Sequence, residues 1–277
     1  MTGTAAVIGP QEPPAIHLMS FNVRCDAGSP AGHPDHWPTR APLLSRLLAT
    51  EQPALIGVQE PMGHQLDVIR GGLGDRYRMV GVSRDIDPAD EHSSIFYDIA
   101  RFEAMETGQY WLSDTPSVVG SAGWGATLPR IVVWARLRDL ATGRTLLHVN
   151  SHFDHASGQA RTRSAAVVAD QLRAAGESVD AVVFTGDTNA AAERSEAYRV
   201  LLEGTGLRDA WLDAADRRTP AIGTFTGYQA PVPDGDRIDW VLVGGKVQVR
   251  AAAINPAAEG GASPSDHAAV HAVLTLG

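Results

Sequence analysis

Residues 181–189 read AVVFTGDTN, and no other stretch of the chain restricts its fold as tightly. The run from Ala181 to Phe184 is short, β-branched and aromatic, which suits a strand buried on both faces. Gly186 lets the backbone turn and come close to whatever lies beside it. Asp187 and Asn189 are separated by one residue, so in an extended segment their side chains point to the same side. An ionised acid and a neutral amide at a strand mouth suit a hard cation, an attacking water or a phosphate. The same residues serve equally well as an Asx-turn closing a strand. Taken alone, the motif leaves both readings open.

The chain has 277 residues, enough to bury a large core as one domain or two. A hydrophobic content of 44% and a charged content of 20% are those of an ordinary globular protein. The formal charge of −9 disfavours long nucleic acid as a partner, because sequence-independent binding relies on Lys and Arg neutralising phosphates. Small phosphorylated substrates stay possible, since a bound divalent metal supplies local positive charge. Cys25 is the only cysteine, so no intrachain disulfide can form. There is no apolar run long enough to insert into a membrane. Residues 1–15, rich in Pro, Gly and Thr, are expected to be a flexible leader. They lack the basic start and apolar centre of a secretory signal, which favours a cytoplasmic location while leaving a trimmed secreted form open.

The rest of the chain repeats the pattern of an apolar strand ending in a polar residue. Strands are expected over 16–23, ending near Asn22, and over 53–59, ending at Glu60. An acid at the end of an apolar strand is costly to bury without a partner, which favours a functional role for Glu60. A helix is expected over 39–50, with Thr39 as its N-cap. His33, Asp35 and His36 lie in a Gly- and Pro-rich loop and read as solvated polar residues rather than a metal cluster. Two strands over 131–137 and 145–151 form a hairpin through Gly143 and run into His152. The longest helix candidate covers 157–175, with an apolar face and Gly176 at its end. Further strands carry Asp239 and follow Asp266-His267. The loop over 112–129 is long for a compact domain and carries Trp124 between glycines, a candidate substrate wall. Trp111 reads as core. No internal repeat or clear linker appears, so residues 16–277 are expected to form a single catalytic domain.

The strings SFNVR, GVQE, NSHFDH, FTGDTNA, RIDWV and SDH, in that order, resemble the endonuclease/exonuclease/phosphatase superfamily of deoxyribonuclease-I-like metal-dependent hydrolases. Within it, WLSDTP, LPRI and NSHFDH are similar to a bacterial subgroup of uncertain substrate. The resemblance implies an α/β fold. It would be a four-layer α-β-β-α sandwich of two mixed, largely antiparallel sheets, with the site where loops from both sheets meet.

It also implies a phosphoester hydrolase that acts on a small or modest-sized substrate, either a phosphodiesterase or a phosphatase. The alternatives are a nuclease of the same fold, a sphingomyelinase-like lipid phosphodiesterase and a non-catalytic interaction module. Such chemistry needs a positioned water and charge stabilisation around the phosphoryl group. No cysteine or histidine set has zinc spacing, so one or two oxygen-liganded Mg²⁺ or Mn²⁺ ions are expected. Glu60 is the first choice of metal ligand, with Asn22 and Asp266 beside it. Asp187 would orient or deprotonate the water and Asn189 would hold water or phosphate. His152 and His267 would donate to the phosphate, either one able to protonate the leaving oxygen. Asp239 belongs near the site, and Glu91 is placed where an acid pairs with His152. Arg130 would clamp phosphate, though a surface salt bridge is an equal reading. His155 and Phe225 complete the expected substrate wall with Trp124. Asp154, His155 and Asp209 also suit plain structural capping.

Overall fold

A computed structural model describes residues 5–176 and 178–277. Along the chain the elements are β1 (Ile16–Asn22), α1 (Trp37–Glu51), β2 (Leu55–Gln59), α2 (Gln65–Leu73), β3 (Tyr77–Val80), β4 (Ile95–Asp98), β5 (Phe102–Trp111), β6 (Ile131–Asp139) and β7 (Thr145–His152). They continue with α3 (Gly158–Gly176), β8 (Ala181–Asp187), α4 (Glu196–Leu202), β9 (Arg208–Asp209), α5 (Ala210–Asp213), β10 (Asp216–Arg217), β11 (Asp239–Gly245), β12 (Val247–Asn255) and β13 (Ala269–Leu276). One sheet has the order β10-β12-β13-β1-β2-β4-β3 and the other β5-β6-β7-β8-β11-β9. Both are mixed: β1–β2 and β7–β8 pair in parallel, while most other neighbours are antiparallel.

The period-two alternation of the strands builds the layers. Ile16 and Leu18 of β1, Leu146 of β7, Val183 of β8 and Val241 of β11 share the core between the sheets. The opposite faces of the same strands are apolar too. Met19 and Phe21 pack with Leu44 and Leu48 of α1 and Ile69 of α2. Val182, Phe184 and Leu242 pack with Val168 and Leu172 of α3 and Leu201 of α4. Strands buried on both faces read as continuous apolar runs, which is why residues 181–184 carry no alternation. The expected four-layer sandwich follows from these three cores.

Two local expectations differ. Helix α1 begins at Trp37 rather than after Thr39, because Pro38 fits the first turn, where its missing N–H costs nothing. The expected flexible leader is also held down where it is described. The N–H groups of Val7, Ile8 and Gly9 donate to the Glu51 carboxylate at 2.8–3.2 Å, and Ile8 packs against Ala251, Ala253 and Val273. Residues 1–4 of that leader lie outside the described residues.

Candidate active site

Strand pairing assembles the site. In the second sheet His152 lies opposite Asp187, and Asp187 opposite Asp239, so three polar side chains form one row across β7, β8 and β11. In the first sheet Asn22 lies opposite Gln59, with Glu60 next in the chain. Asp266 and His267 precede β13, the antiparallel partner of β1. These ends meet over a cavity of about 400 Å³ lined by Arg24, Glu60, Arg84, Glu91, Arg130, His152, Asp187, Phe225, Asp266, His267 and others. Glu60 and Asn189 adopt positive φ of 69° and 49°. Backbone strain of this kind costs on the order of 1–3 kcal/mol per residue and persists where the surroundings over-determine it.

One wall of the cavity is acidic. Asn22 Nδ2 donates to Glu60 Oε1 at 2.9 Å and to Asp187 Oδ2 at 2.8 Å, so a single amide bridges carboxylates from the two sheets. Asn189 N–H donates to Asp187 Oδ1, and Cys25 N–H to Glu60 Oε2. Burial raises the Asp187 carboxyl above its ordinary range, and the neighbouring Asp239 raises it further. Asp266 is also raised, by burial and by Glu60. His267 Nδ1 donates to Asp239 Oδ2 at 2.9 Å, leaving Nε2 3.6 Å from Asp187. Burial alone would lower this imidazole, but Asp239 and Asp187 overcome it and bring it to about 10. The Phe225 ring, half exposed, meets His267 edge-on at 5.1 Å.

The other wall is basic. His152 Nε2 accepts from Asn189 Nδ2 at 3.0 Å and stands 3.5 Å from Asp187. Burial lowers this imidazole well below its usual range, and the nearby Arg130 reinforces the shift. Arg130 is itself buried, with Nη2 donating to His155 Nδ1 at 3.1 Å. Glu91 does not meet His152 as expected; its carboxylate takes both arms of Arg84 at 2.6 and 3.0 Å. A guanidinium fork matches both carboxylate oxygens, whereas an imidazole can offer only one proton in that direction. Burial pushes Glu91 up to about 7 in spite of Arg84. Trp124 is absent from the lining. Its indole donates to Asp114 and its ring packs against the core under α3, while Leu128 of the same loop reaches the cavity. Asp154 caps the turn before α3 through the Ala156 and Ser157 N–H groups, and Asp209 caps α5 and binds Arg237.

Beneath both walls lies a polar layer that the sequence reading missed. Asn150 Oδ1 accepts from Gln59 Nε2 and Thr185 Oγ1, and Asn150 Nδ2 donates to the Val58 and Ser94 carbonyls of the opposite sheet. Gly57 makes room for this contact, since a Cβ there would run into Thr185 Oγ1 and Asn150 Oδ1. Arg40, fully buried, donates to the Val23, Arg24, Cys25 and Pro264 carbonyls and so ties the loop after Asn22 to the segment before Asp266. The alternation of β7 and β8 places Asn150 and Thr185 inward, and an arginine on the apolar face of α1 was the visible signal for Arg40. Asp35, set aside as a metal ligand, instead holds Arg24, Arg40 and Tyr228.

The acidic wall fits a hard cation. Glu60, His152 and Asp187, and likewise Asp187, Asp239 and His267, present donor atoms within 4.8 Å of one another. Among the described residues nothing hydrogen-bonds to the buried Asp239 Oδ1, and a buried polar atom left unpaired is costly. A third group, His17, Glu51 and His271, lies toward the far end of β1. Its Glu51 oxygens already accept from Val7, Ile8, Gly9 and Asn255, and its imidazoles bond each other at 2.9 Å.

With this geometry in place, the comparisons with known proteins are direct. A profile of the Endonuclease/Exonuclease/phosphatase family matches residues 19–267. The structure of an endonuclease/exonuclease/phosphatase from Bacteroides vulgatus is 31% identical, with a TM-score of 0.85 over 95% of this chain and 99% of that one. A mannosyl-6-phosphatase from Bacteroides thetaiotaomicron is 30% identical, with a TM-score of 0.85 over 94% of this chain and 100% of that one. The human Nocturnin catalytic domain, at 17% identity and a TM-score of 0.73, over 95% of this chain and 94% of that one, shares the fold. No curated protein sequence matches the chain.

Proposed function

The chain belongs to the endonuclease/exonuclease/phosphatase family, and on that premise we propose that it is a Mg²⁺- or Mn²⁺-dependent hydrolase of a small phosphorylated substrate. The observation that carries this reading is Asp187. It is buried in a row between His152 and Asp239 and bridged to Glu60 by the Asn22 amide. Glu60 and Asp266 would hold the cation, whose oxygen preference they meet. Asn22, expected as a third ligand, instead turns its amide nitrogen to Glu60 and Asp187 while its Oδ1 accepts from the Arg24 N–H. When bound, the ion neutralises charge on the phosphoryl oxygens.

The chain's own residues do the rest. Asp187 and Asn189 position a water, and Asp187 Oδ2 takes its proton as the water oxygen bonds to phosphorus. The bond from phosphorus to the ester oxygen breaks in the same displacement, and that oxygen leaves with a proton. His267 supplies it from Nε2, because Asp239 holds Nδ1 and aims the other nitrogen at the cavity. The Asn189 amide, whose two protons go to His152 Nε2 and the Phe153 carbonyl, fixes the His152 ring and leaves its own Oδ1 to hold the water. No described helix is long and apolar enough to cross a membrane, and the charge of −9 favours a compact substrate over long nucleic acid. The mannosyl-6-phosphatase makes hexose phosphates the first substrates to try.

The test is hydrolysis of a phosphoester panel with Mg²⁺ or Mn²⁺ against the same panel in EDTA. Activity should vanish in chelator and return with metal. Undiminished turnover in EDTA would overturn the reading.

A further inference from the structure

Three arginines face the cavity, and two are committed. Arg24 gives Nε and Nη2 to Asp35 at 3.3 and 3.1 Å, and Arg84 forms its fork with Glu91. Arg130 differs. Its side chain is 5% exposed, and among the described residues its Nε has no hydrogen-bond partner and pairs only with the Asp154 carboxylate, 3.9 Å away. That carboxylate is already occupied by the Ala156 and Ser157 N–H groups and by Thr127. A buried guanidinium without a hydrogen-bonded counter-ion is expensive unless a ligand supplies the charge. His155 adds a second donor. Arginine can only donate, so His155 Nδ1 must accept from Arg130 Nη2, and the imidazole proton sits on Nε2 at the cavity rim.

We propose that Arg130 with His155 is the seat that makes this site select phosphomonoesters over phosphodiesters. This rests on the hydrolase reading above and names its substrate class. A diester has a single negative charge, whereas a monoester near neutral pH carries about −1.5 to −2 and has one more terminal oxygen. The uncommitted Arg130 supplies the one extra positive charge, and the Arg130–His155 pair supplies donors for the extra oxygen. A divalent cation on the acidic wall meets the charge that both esters share.

The experiment compares kcat/KM on 4-nitrophenyl phosphate and bis(4-nitrophenyl) phosphate for wild type, Arg130→Gln and Arg130→Lys. It also measures orthophosphate binding by calorimetry for the same proteins. Wild type should favour the monoester. Arg130→Gln should slow both esters but the monoester more. The monoester-to-diester ratio and orthophosphate affinity should each fall by about 10- to 100-fold, the range for a lost charge-assisted hydrogen bond. Arg130→Lys should recover part of both. An unchanged ratio, or a wild type that prefers the diester, would overturn the selectivity and leave the hydrolase reading intact. If wild type cleaves neither of these esters nor any member of the phosphoester panel with metal present, the hydrolase reading fails instead. Calorimetry then still decides the seat, because orthophosphate affinity indifferent to Arg130 would sink it. Should Arg130→Gln not fold, the wild-type preference and the Arg130→Lys binding data carry the same decision.

Discussion

The two histidines of the cavity are the same residue type in opposite surroundings. His267 sits among Asp239, Asp187 and Asp266 and is raised to about 10. His152 sits among Arg130, Arg84 and His155 and is lowered. Both are almost wholly buried, and burial acts on both in the same direction, so neighbouring charge makes the difference. A phosphate ester in a cation-assisted reaction needs both kinds of wall: one that attracts the metal and holds a proton, and one that receives the anion. Asp187 lies on the boundary, in register with His152 on one side and Asp239 on the other.

The largest test of this division removes the boundary or the proton holder. Asp187→Ala and His267→Ala should each lower kcat by about 10²–10⁴-fold, the usual reach of general acid–base groups, with the circular dichroism spectrum unchanged. Near-normal turnover in either would end its assigned role. Asp239→Asn is more selective, because it keeps the shape beside His267 and removes the charge. Turnover should fall by about 10- to 100-fold, as for other residues that orient a catalytic group.

The same substitution bears on pH. In metal-free protein His267 has a folded pKa above its unfolded value. Its contribution to stability is therefore full below about 6.5 and lost as pH rises through about 10. His152 has the reverse shift: its contribution is present above about 6.5 and lost as pH falls below that. Imidazole NMR should show His267 protonated and His152 neutral at pH 7.5. Asp239→Asn should lower the first and relieve the second only by the lost His267 charge, leaving it lowered by burial and Arg130. Co-titration of the two would erase the contrast between the walls.

The smallest expected effect comes from beneath both walls. Gly57→Ala would overpack the Asn150–Thr185 contact and should cost about 1–3 kcal/mol. At about 2–4 °C per kcal/mol for a chain of this size, calorimetry would resolve it. The change should weaken monoester and diester hydrolysis alike. A selective loss would place the layer under one wall only.

Much of the site could be read from strand ends. Asn22, Glu60, His152 and Asp187 close or follow an apolar run, Asp239 and His267 open or precede one, and all six converge at one end of the sandwich. Glu91 and Trp124 show where that reading stopped. Both lie outside the strand rows, in segments whose direction depends on loop geometry. Glu91 turned to Arg84, whose guanidinium offers two donors, and Trp124 turned to Asp114 and the core. Arg84 went unnoticed because nothing local marks it, and it lines the cavity only after the hairpin bridge between Ser83 and His92 closes.

By itself, the sequence determined the buried strands and the polar residues at their ends, and the layering came only with its resemblance to the family. Apolar runs specify strands buried on both faces, and the two-residue period decides which side chains share a face. The structure alone decided the sign of each wall. Whether His152 or His267 keeps its proton, and whether Arg130 or Arg84 has a hydrogen-bonded counter-ion, depends on charges that strand pairing and loop closure bring within a few ångströms, such as Asp239 and Asp187 beside His267. Electrostatic interaction in a buried site falls with distance through space, and spacing along the chain does not record that distance.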